Sequence, residues 1–183
     1  MAMSKLNMIE NMNKAWDEKQ RLDLDTYKQH CKNLITHAFV EIEKMYKGYC
    51  SNKGIEYKDD VFYAFQRIIV YIMKCDGEFL QGEYDAYCLI CQWAGIDALS
   101  VDDVNALYSR TTVDMVISDI ELITGVREYM DADNYRAMVL SFCYLSLLGD
   151  TSFDENEYYI IRCFYKPGFD YVPSTWEQFK QEW

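Results

Sequence analysis

The first proline of the chain is Pro167 and only Pro173 follows it, so nothing up to Lys166 carries the residue that breaks a helical ladder. Across that span apolar residues recur at a period near 3.6: Leu34, Ala38, Ile42 and Met45 in one stretch, Phe62, Phe65, Ile69 and Ile72 in another. No Asn-Gly turn or alternating hairpin pattern appears, although Val, Ile and Tyr are frequent. The pattern predicts an all-α fold, a compact helical domain of about seven to nine helices.

Glycines and capping residues divide this span. A polar, Met-containing helix or arm is expected over residues 5–20, and a longer helix after Asp25, ended by Gly48 and the Ser51-Asn52-Lys53-Gly54 cluster. Helices are expected from about Asp59 to Lys74, stopped by Asp76-Gly77, and from about Gln81 to Ala94, closed by Gly95. Ser100-Val101-Asp102-Asp103 opens a short helix with a capping-box-like pattern, and Thr111 or Thr112 caps the next, which runs toward Gly125. Asp131 or Asp133 starts a helix reaching Leu148; Asp154 caps one to about Tyr165, and Ser174-Thr175-Trp176-Glu177 begins the last.

An approximate repeat lies on this frame. Asp76-Gly77-Glu78-Phe79-Leu80-Gln81-Gly82-Glu83-Tyr84 returns 74 positions later as Asp150-Thr151-Ser152-Phe153-Asp154-Glu155-Asn156-Glu157-Tyr158, with Asp, Phe, Glu and Tyr at one offset. Each copy is flanked by apolar helical stretches, which places an acidic turn at the tip of an αα-hairpin in each half. The domain is therefore read as two pseudo-repeated αα-hairpins.

The repeated carboxylates admit two readings. Asp76, Glu78 and Glu83 gather around about one turn, and Asp150 and Glu157 occupy the corresponding places in the second copy, beside Asp154 and Glu155. Hard divalent cations such as calcium or magnesium take oxygen ligands of this kind. The same residues at helix starts equally neutralise exposed N–H groups and the helix dipole, each worth about 0.3–1 kcal/mol. An EF-hand is excluded, because Phe79 and Leu80 stand where its loop requires ligands.

The order helix, Cys75-Asp76-Gly77-Glu78, Glu83, helix, followed by a second and weaker copy, resembles the TerB-like domain associated with tellurite resistance. The resemblance covers roughly residues 59–166 and departs from the family signature at Thr151 and Ser152, which replace glycine and the following acidic residue. It implies an all-helical, pseudo-twofold domain. It also implies a metal ion at Asp76, Glu78, Glu83, Asp150 and Glu157, and a role in a membrane-linked stress or phage-defence system. Residues 1–58 then form an N-terminal helical extension packed on or flanking the core, and residues 167–183 a C-terminal tail or short helix, all in one globular unit.

Charge and cysteine usage narrow the function classes. Eighteen basic against 30 acidic residues give a formal charge of −12, which repels nucleic-acid backbones and anionic membranes and suits cations or basic protein partners. An acidic adaptor or inhibitor that binds a basic partner without metal is the alternative to the TerB-like module. Seven cysteines, an odd number, and a polar start without an apolar signal core point to a reducing, cytoplasmic setting. No run approaches the roughly 18 apolar residues of a membrane span.

Other constellations carry less chemistry. Cys88-Leu89-Ile90-Cys91 has CxxC spacing but no second pair and lies in an apolar helical stretch, so it reads as two core thiols. His30, His37 and Glu41 share a helical face, but the Glu-x-x-His spacing of a di-iron bundle is absent, and a packing or solvated face is expected. No nucleophile elbow, Walker loop or dinucleotide glycine pattern occurs, and no enzymatic role is assigned. Trp176, Phe179 and Trp183 have i, i+3, i+7 spacing, an aromatic stripe that docks either on its own domain or in a partner's groove.

Overall fold

The computed structural model describes residues 5–73, 81–148 and 153–183. Nine α-helices and one 3₁₀ turn make up the described part, which contains no β-strand. The first helix, α1 (Met8–Arg21), is capped by Asn7, whose side chain accepts from the Glu10 N–H, and it buries Met8, Ile9, Met12 and Ala15.

Helix α2 (Leu24–Lys53) starts at Asp23, whose carboxylate accepts from the Thr26 N–H, and runs for 30 residues. The helix does not end at Gly48. It continues to Gly54, whose φ of 66° places it in the left-handed region where a helix C-cap favours glycine. A mid-helix glycine costs only about 1 kcal/mol. Tyr46 and Cys50, on either side of Gly48, are both buried and carry the helix through it. The buried residues of α2, from Tyr27 through Cys31, Ile35, Ala38, Ile42 and Tyr46 to Cys50, form one stripe down its length.

The remaining helices are α3 (Asp60–Met73), α4 (Gln81–Ala94), α5 (Val101–Arg110), α6 (Val113–Thr124), α7 (Ala132–Ser146), α8 (Glu155–Arg162) and α9 (Trp176–Glu182). Their starts follow local capping: Ser100, Thr112, Asp131, Asp154 and Thr175 each accept a backbone N–H in the first turn. Shifted by 74 positions, the first residue of α4 falls on the first of α8, and α3 falls on α7 to within two residues. In each half the two helices that flank the repeated sequence pack on each other.

The two halves share one core. Helix α2 lies along α7, and α3 lies along α6. A chain of rings crosses the centre: Phe39 to Phe65 at 4.9 Å, Phe65 to Phe142 at 5.9 Å and Phe142 to Phe164 at 4.2 Å between centroids. Residues 5–58 contribute to this core through α1, which packs on α7, and α2, which also contacts α4. The chain ends are tied together where the Tyr171 N–H donates to Leu6 O at 2.7 Å and the Met8 N–H donates to Tyr171 O at 3.0 Å. No helix among the described residues is long and apolar enough to cross a membrane.

Candidate functional site

Two of the five carboxylates expected at the acidic turns, Glu83 and Glu157, are described; Asp76, Glu78 and Asp150 lie outside the described residues. Both glutamates sit in the first turn of their helices, α4 and α8, at positions 74 apart, and both are buried, at 7% and 4% exposure. A first-turn carboxylate is normally solvated, so burial of both members of a repeated pair is a distinctive property of these positions.

Glu157 shows its local role directly. The Asp154 carboxylate accepts from the Glu157 N–H at 2.9 Å, and Glu157 Oε2 accepts from the Asp154 N–H at 2.9 Å, a complete capping box. The capping reading of the second turn is therefore realised. Among the described residues no three His, Cys, Asp or Glu side chains group closely enough to hold a metal ion, and any such set at the turns would draw on Asp76, Glu78 and Asp150.

The histidine face of α2 is occupied by packing contacts. His30 Nδ1 lies 2.6 Å from Glu18 Oε2 of α1, and His37 Nε2 lies 3.1 Å from Asn134 Oδ1 of α7. Asn134 in turn donates to Glu41 Oε2 at 2.8 Å, so Glu41 and His37 hold the same partner on α7. The CxxC pair is likewise structural: Cys91 is buried, its thiol pushed up to about 11 by that burial, and Cys88 is half-buried, both free. Cys31 and Cys143, between α2 and α7, are pushed up to about 12 for the same reason.

The aromatic stripe of α9 docks on its own domain. Phe179 is fully buried, with ring centroids 5.3 Å from Tyr158 and 5.4 Å from Phe153. Trp183 packs edge-on against Trp16 of α1 at 5.5 Å, and Trp176 lies 6.1 Å from Phe153. Phe153 belongs to the second copy of the repeat, so the C-terminal helix closes over the start of α8.

Two features have no signal in the linear sequence. Asp170 is buried at 7% exposure and gathers the Arg127 guanidinium, at 3.0 and 3.1 Å, with the N–H groups of Lys166 at 2.7 Å and Leu6 at 3.2 Å. A groove of about 510 Å³ runs between α6 and the α8–Val172 segment, and two smaller hollows adjoin it at Glu121. Neither could be read from local pattern, because each joins segments more than 35 residues apart. No protein-family model, curated protein or solved structure matches the chain.

Proposed function

We propose that the chain is a TerB-like binding module that holds a divalent cation at its acidic hairpin turns and works by protein association in a cytoplasmic stress-response system. The observation that carries this reading is the paired burial of Glu83 and Glu157 at equivalent helix starts of a duplicated hairpin. Carboxylates withdrawn from water are held by hydrogen bonds, ion pairs or metals. The neighbouring acidic residues of both copies lie in the adjoining turns of the sequence. The family resemblance supplies the stress-response context.

The donors are carboxylate oxygens throughout, a set that suits calcium or magnesium and contains no soft ligand. Asp76, Glu78 and Glu83 form the first set, and Asp150 with Glu157 the second. A bound cation would cross-link the two helices of a hairpin and offset the repulsion among these carboxylates at the turn.

Thermal unfolding of the EDTA-stripped protein tests this, with calcium, magnesium, manganese or zinc added back, on the wild type and on Asp76→Ala and Glu83→Gln. At a concentration near 100 Kd a native-state ligand adds about 2.7 kcal/mol, which corresponds to a rise of roughly 5–10 °C at this chain length. The expected result is such a rise with calcium or magnesium in the wild type, lost in both variants. An absence of any metal-dependent shift, or a shift retained in both variants, overturns the reading.

A further inference from the structure

The groove between α6 and α8 brings a carboxylate and a guanidinium to one apolar chamber. The chamber, about 510 Å³, is walled by Ile117 and Ile120 of α6, Ile160 of α8, and Cys163, Pro167 and Val172 beyond that helix. Volumes of a few hundred Å³ with a mainly apolar lining are typical of sites for small molecules. Glu121 of α6 and Arg162, the last residue of α8, line the same chamber. Neither Glu83 nor Glu157 lines it, so it stands apart from the described carboxylates of the hairpin turns.

The two charges serve one groove without pairing with each other. Arg162 Nη1 donates to Ser174 O at 3.0 Å, a neutral carbonyl that leaves the positive charge of the guanidinium uncompensated. Glu121 is exposed, and its carboxylate forms no hydrogen bond or ion pair among the described residues. Both charges reach Cys163 in the groove wall: burial pushes that thiol up, Arg162 opposes the shift and Glu121 adds to it. Glu128 and Lys166 bring one further charge of each sign to an adjoining hollow of about 370 Å³. The groove therefore offers apolar walls and both signs of charge, rather than an excess of either.

We propose that this groove binds a zwitterionic small molecule with an apolar body, a free α-amino acid with an apolar side chain, its ammonium group at Glu121 and its carboxylate at Arg162. The side chain lies among the isoleucines of the chamber. A ligand carrying an ammonium group alone is attracted by Glu121 and repelled by Arg162, one carrying a carboxylate alone meets the reverse, and a neutral one leaves both charges unused. Only a ligand with both charges satisfies both walls, and the guanidinium keeps free N–H groups for a carboxylate after the bond to Ser174. The site is independent of the hairpin turns and of any metal they hold.

The test is a two-dimensional amide NMR titration of the full chain with three probes that share one ring: L-phenylalanine, 2-phenylethylamine and 3-phenylpropionate. The expected result is saturable shifts confined to residues 113–128 and 159–172, with L-phenylalanine about tenfold tighter than either single-charge analogue, since each analogue forfeits one charge-assisted contact. Glu121→Gln, at an exposed helix position, should bring L-phenylalanine down to the affinity of 3-phenylpropionate. Arg162→Met, which keeps the apolar stem, should bring it down to that of 2-phenylethylamine. Ile117→Trp, placed to fill the chamber, should abolish binding of all three probes. Absence of saturable shifts, shifts elsewhere on the molecule, a single-charge analogue that matches L-phenylalanine, or a preference for L-phenylalanine that survives Glu121→Gln overturns the proposal.

Discussion

Arg67 of α3 and Asp119 of α6 form a bidentate ion pair, with Nε 2.5 Å from Oδ2 and Nη2 2.7 Å from Oδ1. The Asp119 side chain is 8% exposed and that of Arg67 is 26% exposed, so the pair sits at the edge of the core where α3 and α6 pack. Its geometry matches the planar fork of guanidinium to carboxylate and fixes the relative register of the two helices.

Arg67→Ala should destabilise the protein by about 2 kcal/mol, because it strands a nearly buried carboxylate; the partial exposure of the arginine keeps the cost below the roughly 3–5 kcal/mol of a fully buried pair. Arg67→Met combined with Asp119→Leu should be close to neutral, since the desolvation penalty disappears along with the attraction. Denaturant unfolding of the wild type, both single variants and the double variant measures the coupling. Additive single-variant effects would show that the pair contributes nothing as a pair.

A second buried pair has a pH signature. Burial by itself would raise the Asp170 carboxyl, but the Arg127 guanidinium and the N–H groups of Lys166 and Leu6 outweigh it and hold the carboxyl below its ordinary value. A group whose pKa is depressed in the folded state contributes stability above its unfolded pKa, about 3.9 for aspartate, and loses it as pH falls through the folded value. Asp170→Asn should therefore cost about 2 kcal/mol at pH 7 by leaving Arg127 unpaired, and should flatten the loss of stability below about pH 4. Urea midpoints collected from pH 7 down to pH 2 check both effects. An acid limb identical in wild type and variant would remove Asp170 as its source.

The helices were legible in the sequence because their signals are local. Thr112, Asp131 and Asp154 cap the helices that their position before apolar runs predicts, and the 74-residue offset appears in the matching starts of α4 and α8. Gly48 misleads, since its cost of about 1 kcal/mol is local while the burial of Tyr46 and Cys50 that outweighs it is tertiary. Arg67–Asp119 and Arg127–Asp170 join residues 52 and 43 positions apart, and no periodicity reports a pairing of that kind. The acidic turns were legible as a repeat, and the structure adds the burial of Glu83 and the capping box of Glu157, while Asp76, Glu78 and Asp150 lie outside its described residues. The groove at Glu121 was invisible because α6, the end of α8 and the loop at Val172 form it only together.

Helix α9 is anchored at its centre by the one side chain it buries, Phe179. A seven-residue helix is too short to persist in water by itself, and its Thr175 cap, accepting the Gln178 N–H at 3.1 Å, supplies only about 1 kcal/mol. The burial of Phe179 among Phe153, Tyr158 and Trp183 is its most enclosed contact, with Trp176 against Tyr158 and Trp183 against Trp16 at either end. Phe179→Ala should cost about 3 kcal/mol and detach the helix, removing the Trp16–Trp183 contact. Near-ultraviolet circular dichroism should then lose tryptophan signal while the far-ultraviolet helical signal falls only by the share of this short segment. Phe179→Leu, which keeps most of the buried volume, should retain more of both stability and signal. Unchanged stability and spectra in Phe179→Ala would mean that α9 holds its place without this side chain, through the contacts of Trp176 and Trp183.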